Sequence, residues 1–185
     1  CMTAPSIAIC LPCRDQVCTG FAYDLATMTA NWSAKHVANG GKLFIFTSMG
    51  TLIANQRQEL ALEALQAGAS HILFLDTDMR FPKDAIDRLM AHDKPIVAAS
   101  YPTRRMPVKT VAFKTEAAWD SVYTSDDSTG LEPVAAVGMG LMLIKREVFE
   151  KLELPWFIIG YSPKTHEFSG EDIFFARQAR KAGYE

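Results

Sequence analysis

An apolar run that stops at two carboxylates constrains the fold more than any other feature of the sequence. Residues 72–75 read Ile-Leu-Phe-Leu, and Asp76 and Asp78 follow at once. The run is too short for a buried helix and is typical of a buried strand. Because open α/β sheets bind ligands outside the carboxyl ends of their strands, we expect the two carboxylates to lie at a binding site.

Strand-like and helix-like segments alternate through the first half of the chain. Short apolar segments rich in branched and aromatic residues favour strands, and apolar residues recur at helical spacing between them. The predicted strands are residues 7–11, 42–47, 71–76 and 96–100, and the predicted helices are residues 21–38, 51–67 and 81–92. This alternation predicts an α/β fold with a mixed, mostly parallel sheet and helices on both faces.

The second half has more strands and loops, which indicates antiparallel additions to that sheet. Its predicted strands are residues 111–113, 121–123 and 134–144, the last interrupted at Gly138 and Gly140, and its predicted helices are residues 147–152 and 169–182. Since no repeat, linker or low-complexity tract interrupts the sequence, we expect a single domain over residues 1–185. A further strand is expected after the last helix, so the domain is expected to continue beyond residue 185.

The charge balance argues against a general affinity for nucleic acids or membranes. Asp and Glu number 21 and Lys and Arg number 19, which gives a net charge of -2. The longest apolar stretch, residues 134–144, contains two glycines and is too short to span a bilayer. The N-terminus lacks the pattern of a secretory signal. We therefore expect a cytoplasmic protein without a membrane span.

Three cysteines lie close together near the N-terminus. Cys10 and Cys13 have the Cys-x-x-Cys spacing that zinc sites and redox pairs use. A structural zinc site would need further ligands, and the sequence offers no second pair of this kind. Because Cys10 falls within a strand-like segment, an ordinary buried thiol is the favoured interpretation.

Asp76 and Asp78 together favour a divalent metal ion. Oxygen ligands of this kind suit Mg²⁺ or Mn²⁺, which complete their coordination with water and substrate phosphates. The expected substrate is therefore a nucleotide or another diphosphate. The alternative is structural, since both residues could cap a helix that starts near Pro82.

Three segments resemble GT-A-fold glycosyltransferases. Residues 73–82 read Leu-Phe-Leu-Asp-Thr-Asp-Met-Arg-Phe-Pro, and a predicted helix separates them from the Lys-Pro-Ile-Val-Ala-Ala-Ser-Tyr of residues 94–101. Together they resemble the donor-binding half of that fold. Residues 137–149 resemble its acceptor-side strand, and residues 170–184, which begin Gly-Glu-Asp, resemble the Glu-Asp helix of family 2 enzymes. The resemblance implies a GT-A-type, Rossmann-like sheet over most of residues 5–185.

The resemblance also implies roles for residues on the donor side. Asp76 would contact the ribose or a metal-bound water, and Asp78 would ligate the metal at the diphosphate. Pro12 and Arg14 would lie beside the nucleotide base and ribose. Arg57 matches a position where related sequences carry a basic residue that faces the donor; a solvated helix residue is the alternative.

On the acceptor side, the resemblance places the catalytic base at Asp172, next to Glu171. An inverting transferase needs a carboxylate that takes the proton of the acceptor hydroxyl. The alternative is a helix start in which Ser169 caps and the acids interact with the helix dipole.

A further metal ligand, commonly a His, follows the Glu-Asp helix in the superfamily. Either His166 takes its place or the usual His lies beyond residue 185, and the second interpretation is favoured. Two other pairs stay open: Trp156 and Phe157 either stack on an acceptor sugar or, as favoured, belong to the core, and residues 104–105, both Arg, either bind phosphate or face solvent.

These observations predict a metal-dependent, inverting glycosyltransferase whose donor is a nucleotide-diphosphate sugar, with a UDP-sugar expected, and whose acceptor is unidentified. Three alternatives remain. A sugar-1-phosphate nucleotidyltransferase would carry a glycine-rich loop after its first strand, and residues 11–15 contain no glycine. A phosphatase with an aspartyl nucleophile would carry Asp-x-Asp on its first strand rather than its third. A non-catalytic sugar-nucleotide or glycan binding module is the last alternative.

Overall fold

A computed structural model describes residues 4–103, 106–115, 120–125, 127–128, 130–163 and 166–185. The strands are β1 (Ser6–Cys13), β2 (Lys42–Met49), β3 (His71–Leu75), β4 (Ile96–Ala98), β5 (Ala112–Phe113), β6 (Ala136–Val137), β7 (Leu141–Lys145), β8 (Gly160–Ser162) and β9 (Glu167–Ser169). The α-helices are α1 (Thr19–His36), α2 (Ile53–Gln66), α3 (Ala85–Ala91), α4 (Arg146–Lys151) and α5 (Glu171–Lys181).

Five strands form one sheet in the order β2-β1-β3-β7-β4. The strands β2, β1 and β3 pair in parallel, and β7 is antiparallel to both of its neighbours, β3 and β4. Four of the five strands therefore run in one direction. The predicted mixed, mostly parallel α/β sheet is confirmed.

Helices cover both faces of this sheet because its central strands are apolar on both sides. Along β3, Ile72 and Phe74 pack with α2, α4 and α5 on one face. Leu73 and Leu75 pack with α1 and α3 on the other face. Successive side chains of a strand point to opposite faces, so the uninterrupted run of residues 72–75 contributes to two cores.

The predicted interruption of the strand over residues 134–144 at Gly138 and Gly140 is confirmed, and its two parts belong to different sheets. β6 pairs with β5 in a separate two-stranded sheet, and β7 enters the main sheet. A Cβ on Gly138 or on Gly140 would lie 2.6 Å from the Tyr101 hydroxyl oxygen. The glycines therefore allow the close approach of the Tyr101 side chain.

Other predicted elements differ at their ends. The predicted strand over residues 121–123 is reduced to one bridge between Phe113 and Ser121. The start predicted for the last helix, Ser169, belongs to β9, and the helix begins at Glu171. Before that helix, β8 and β9 pair as an antiparallel hairpin. The sequence does not indicate these short strands, because neither contains a β-branched residue.

Cys10 is buried in β1, and its thiol donates to the backbone oxygen of Leu60 at 3.6 Å. Burial raises the pKa of this thiol above its usual range. Cys13 is half-buried and Cys18 is exposed, and all three are free. An unreactive buried Cys10 agrees with the interpretation as an ordinary thiol.

Within the described ranges, no helix combines the length and apolar character needed to cross a membrane.

The aromatic cluster under β3 is expected to contribute strongly to stability. Phe149, which is 1% exposed, contacts Trp156, Phe157 and Phe175 with ring centroids 4.9 to 6.5 Å apart. Phe149→Ala should lower the free energy of unfolding by about 3 to 5 kcal/mol, because the cavity forms in a packed core. Urea denaturation measures this change. Tyr123→Ala, at an exposed position, should change it by less than about 0.5 kcal/mol; equal effects would contradict this packing.

Candidate functional site

A cleft of about 590 Å³ opens at the carboxyl ends of the three parallel strands β2, β1 and β3. It brings together residues that are far apart in the sequence. Seven of the eight site residues expected from the sequence line it, namely Pro12, Arg14, Arg57, Asp76, Asp78, Glu171 and Asp172. The strand ends thus form the ligand-binding edge that parallel α/β sheets commonly use.

Arg57, on α2, occupies the centre of this arrangement and is only 4% exposed. Its Nη2 donates to Asp76 Oδ1 at 3.0 Å, and its Nε lies 3.3 Å from Glu171 Oε1. The guanidinium also lies over the Phe74 ring, 5.8 Å from the ring centroid. The alternative of a solvated helix residue is therefore wrong.

The two carboxylates offset the cost of burying the Arg57 charge. A buried cation is tolerated only when it is paired and hydrogen-bonded. Asp76 follows the end of β3 and Glu171 begins α5, so the ion pairs join these two elements across the cleft. In the described part of the chain, Nη1 of Arg57 has no hydrogen-bond partner.

Glu171 and Asp172 have different surroundings although they are adjacent. Glu171 is buried, which raises the pKa of its carboxyl, while the Arg57 charge opposes this shift. Asp172 is half-buried, and its Oδ1 accepts the backbone N–H of Ile173 at 2.8 Å. The cap expected of Ser169 is wrong, because Gly170 is the N-cap residue and α5 has no side-chain cap.

The other capping alternative is wrong as well. The helix after Pro82 begins at Ala85, with Asp84 at its N-cap and no side-chain cap hydrogen bond. Asp76 instead donates its backbone N–H to Gly140 at 2.9 Å and accepts that of Met79 at 3.1 Å. Its carboxylate therefore remains directed to Arg57 and the cleft.

A buried aspartate on α1 fixes the loop that carries Asp78. Asp24 accepts hydrogen bonds from Arg80 Nε at 2.6 Å and from the Phe81 backbone at 3.2 Å. The hydrogen bond from Arg80 holds the pKa of Asp24 below its usual range. Sequence reasoning missed Asp24, although a single acid on the apolar face of a helix indicates a buried partner.

Tyr101 and Gln56 also line the cleft and were missed. The Tyr101 hydroxyl accepts the N–H of Gly140 at 3.0 Å, and burial, aided by the nearby Asp76 charge, raises its pKa to about 12. Gln56 donates to the backbone oxygens of Cys13, at 2.7 Å, and Ser48. It thus connects the ends of β1 and β2. Tyr101 could have been found from its place just after a predicted strand.

His166 is not brought to the cleft. It lies before β9 with φ of 57°, and its Nδ1 is 2.9 Å from the Tyr161 hydroxyl oxygen. Over the described ranges, no three His, Cys, Asp or Glu residues are grouped as a metal site. Arg104 and Arg105 lie outside the described residues. Trp156 and Phe157 are buried in the core, as favoured from the sequence.

The carboxylates at the end of β3 fit a divalent ion that takes only some of its ligands from the protein. Asp76 and Asp78 line the same cleft and offer carboxylate oxygens, which Mg²⁺ and Mn²⁺ prefer. Mg²⁺ commonly takes only one or two protein carboxylates and completes its shell with water and phosphates. The cleft therefore needs no third protein ligand for such an ion.

No protein-family model and no curated protein sequence matches the chain. Solved structures do resemble it. The crystal structure of A197 from STIV has a TM-score of 0.58 and 17% identity, over 95% of this chain and 78% of that one. The crystal structure of 4-diphosphocytidyl-2C-methyl-D-erythritol synthase has a TM-score of 0.40 and 14% identity, over 78% and 76%. The first likeness supports the fold.

The Arg57 ion pairs are expected to contribute to the free energy of unfolding. Arg57→Met should lower the free energy of unfolding by about 3 to 5 kcal/mol, because it leaves Glu171 buried without its cation. Adding Glu171→Gln should restore part of this loss, with a coupling energy of about 1 to 3 kcal/mol. Urea denaturation of the two single variants and the double variant gives both numbers.

Arg88→Met is the matched control, since Arg88 is exposed and pairs with Asp84 one helical turn away. That loss should stay below about 1 kcal/mol. A purely additive effect of the Arg57 and Glu171 substitutions would show that the two side chains do not interact.

Proposed function

We propose that the protein is a metal-dependent glycosyltransferase that moves a sugar from a nucleotide-diphosphate donor to an acceptor hydroxyl, with inversion at the anomeric carbon. One observation carries the proposal: acids from the end of β3 and from the start of α5 line a single cleft, and a buried arginine joins them. Such a cleft offers separate groups for a leaving diphosphate and for an attacking hydroxyl.

The donor binds along the strand ends. Pro12 and Arg14 would lie beside its base and ribose, and Asp76 and Asp78 would hold the divalent ion; a UDP-sugar is the expected donor. When bound, the ion stabilises the negative charge that develops on the leaving diphosphate, as a Lewis acid. Asp24, through Arg80, keeps the loop that carries Asp78 in place.

Asp172 acts as the general base. As the acceptor oxygen bonds to the anomeric carbon, its proton passes to the Asp172 carboxylate and the bond to the diphosphate breaks. Glu171 is less suited to this step, because its carboxylate is committed to Arg57. Glu171 therefore serves to position the start of α5, where Asp172 lies.

Metal-dependent donor binding should depend on Asp78. With Mn²⁺ present, a nucleotide sugar at about 100 times its Kd should add about 2.7 kcal/mol of stability, or about 5 to 10 °C in Tm for a chain of this size. Asp78→Asn should remove this shift by removing a charged oxygen ligand. Thermal denaturation with a panel of UDP-, GDP-, ADP- and CMP-sugars, with and without Mn²⁺, measures it.

Asp120→Asn provides the control, because Asp120 is exposed and lies outside the cleft. It should keep the full shift. A wild-type chain that none of the sugars stabilises, or an Asp78→Asn chain that they stabilise equally, would contradict the proposed donor site.

Asp172→Asn should separate binding from turnover. With water as the acceptor, the rate of nucleoside-diphosphate release from the bound donor should fall by about 10² to 10⁴, because proton transfer from the attacking water is lost, while the donor Kd changes by less than about twofold. Release of diphosphate is followed by a coupled assay, and Kd by calorimetry.

Three results would overturn this mechanism in different ways. Equal turnover by Asp172→Asn would exclude it as the base. Donor binding without turnover in the wild-type chain would indicate a binding module. Release of pyrophosphate from a nucleoside triphosphate and a sugar 1-phosphate would indicate a nucleotidyltransferase.

A further inference from the structure

The hairpin of β8 and β9 carries an exposed aromatic cluster, which we define as Tyr161, His166 and Phe168. Tyr161 and Phe168 are opposite each other in the strand pairing, so their side chains share one face. Their ring centroids are 5.1 Å apart. Phe168 is 76% exposed and Tyr161 is 52% exposed. Large aromatic surface left open beside a candidate active site indicates a binding role.

The cluster combines apolar ring faces with a polar edge of defined geometry. The Tyr161 hydroxyl oxygen lies 2.9 Å from Nδ1 of His166, and the two ring centroids are 6.4 Å apart. This contact holds the Tyr161 hydroxyl and the His166 imidazole at the edge of the surface that the Tyr161 and Phe168 rings form. A ligand on the rings would therefore meet hydrogen-bonding groups at its edge.

The hairpin is attached to the core on both sides. Before β8, the Trp156 backbone N–H donates to Gln58 Oε1 at 2.9 Å, next to Arg57 on α2. Phe157 stacks on Phe175 of α5, with ring centroids 5.3 Å apart. After β9, only Gly170 separates the strand from α5. A two-stranded hairpin is marginally stable alone, so these attachments determine its position.

The cluster therefore lies near the proposed base. Phe168 and Asp172 are four positions apart in the sequence, so their Cα atoms are at most about 14 Å apart, even for a fully extended chain. Asp172 lines the cleft and Phe168 precedes it along the chain. A ligand on the aromatic rings is placed next to the acceptor side of the cleft.

The chemistry of the hairpin favours a carbohydrate over a nucleic acid. Single-stranded nucleic acids also stack on aromatic rings, but their binding sites add cations along the phosphate backbone. Residues 160–170 contain one lysine and one glutamate, which leaves no net positive charge there. A sugar ring, in contrast, offers an apolar C–H face to the rings and hydroxyls to the Tyr161 and His166 edge.

We propose that Tyr161, His166 and Phe168 form a subsite for a neutral oligosaccharide, which is the acceptor class of the cleft. The sugar that precedes the reacting one stacks on Tyr161 and Phe168, and its hydroxyls bond to Tyr161 and His166. The acceptor hydroxyl is thereby directed to Asp172. As an acceptor subsite, this proposal rests on the proposed transferase function.

The test is binding of the fluorescently labelled full chain to an array of immobilised neutral oligosaccharides, without donor or metal. The wild-type chain should bind at least one oligosaccharide. Phe168→Ala and Tyr161→Ala should weaken that binding about tenfold or more, because a stacking face is lost. Tyr123→Ala removes an equally exposed aromatic side chain outside the hairpin, and it should bind as the wild-type chain does.

Two outcomes would overturn the subsite: no oligosaccharide bound by the wild-type chain, or equal binding by Phe168→Ala. Measurements of donor binding distinguish failure of the subsite proposal from failure of the transferase proposal. Phe168→Ala should keep the melting temperature of the wild-type chain, since the residue is exposed. It should also keep the Mn²⁺-dependent thermal shift that nucleotide sugars produce. Asp78→Asn should keep oligosaccharide binding. With the bound oligosaccharide as acceptor, Phe168→Ala should raise KM about tenfold at little changed kcat.

Discussion

The buried guanidinium of Arg57 is the interaction on which the rest of the site depends. A positive charge with so little access to water is stable only if carboxylates approach it closely. Asp76 and Glu171 do so from the end of β3 and the start of α5. The need to neutralise one arginine therefore brings together two chain segments that are about a hundred residues apart.

The sheet and the buried aromatic side chains beside β3 both hold these segments in place, by different interactions. β7 pairs with β3, and Gly140, which immediately precedes β7, accepts the Asp76 backbone N–H. Phe74 packs edge-to-face against Phe157, which stacks on α5. Apolar packing thus sets the distance between β3 and α5, and the ion pairs orient the acids that these elements carry. Stability and function share the same residues at this edge of the sheet.

Sequence patterns predicted the features that depend on local chemistry. The apolar run before Asp76 indicates a doubly covered strand, and the last helix was predicted with a start two residues before that of α5. Features that depend on long-range pairing were missed. No local signal places β7 between β3 and β4, or Tyr101 over Gly140. His166 was a candidate ligand by residue type alone, and the hairpin directs it to Tyr161 instead.

Anomalous diffraction at the manganese edge, from crystals grown with Mn²⁺ and UDP, tests the central claim most directly. The claim is that Asp76, which is paired with Arg57, and Asp78 hold a metal–diphosphate complex. It predicts one anomalous peak within about 2.0 to 2.5 Å of an Asp78 carboxylate oxygen. The same ion should contact the UDP diphosphate, and the uracil ring should lie beside Pro12 and Arg14. A nucleotide bound elsewhere, or an ordered cleft with no peak near Asp76 or Asp78, would contradict it.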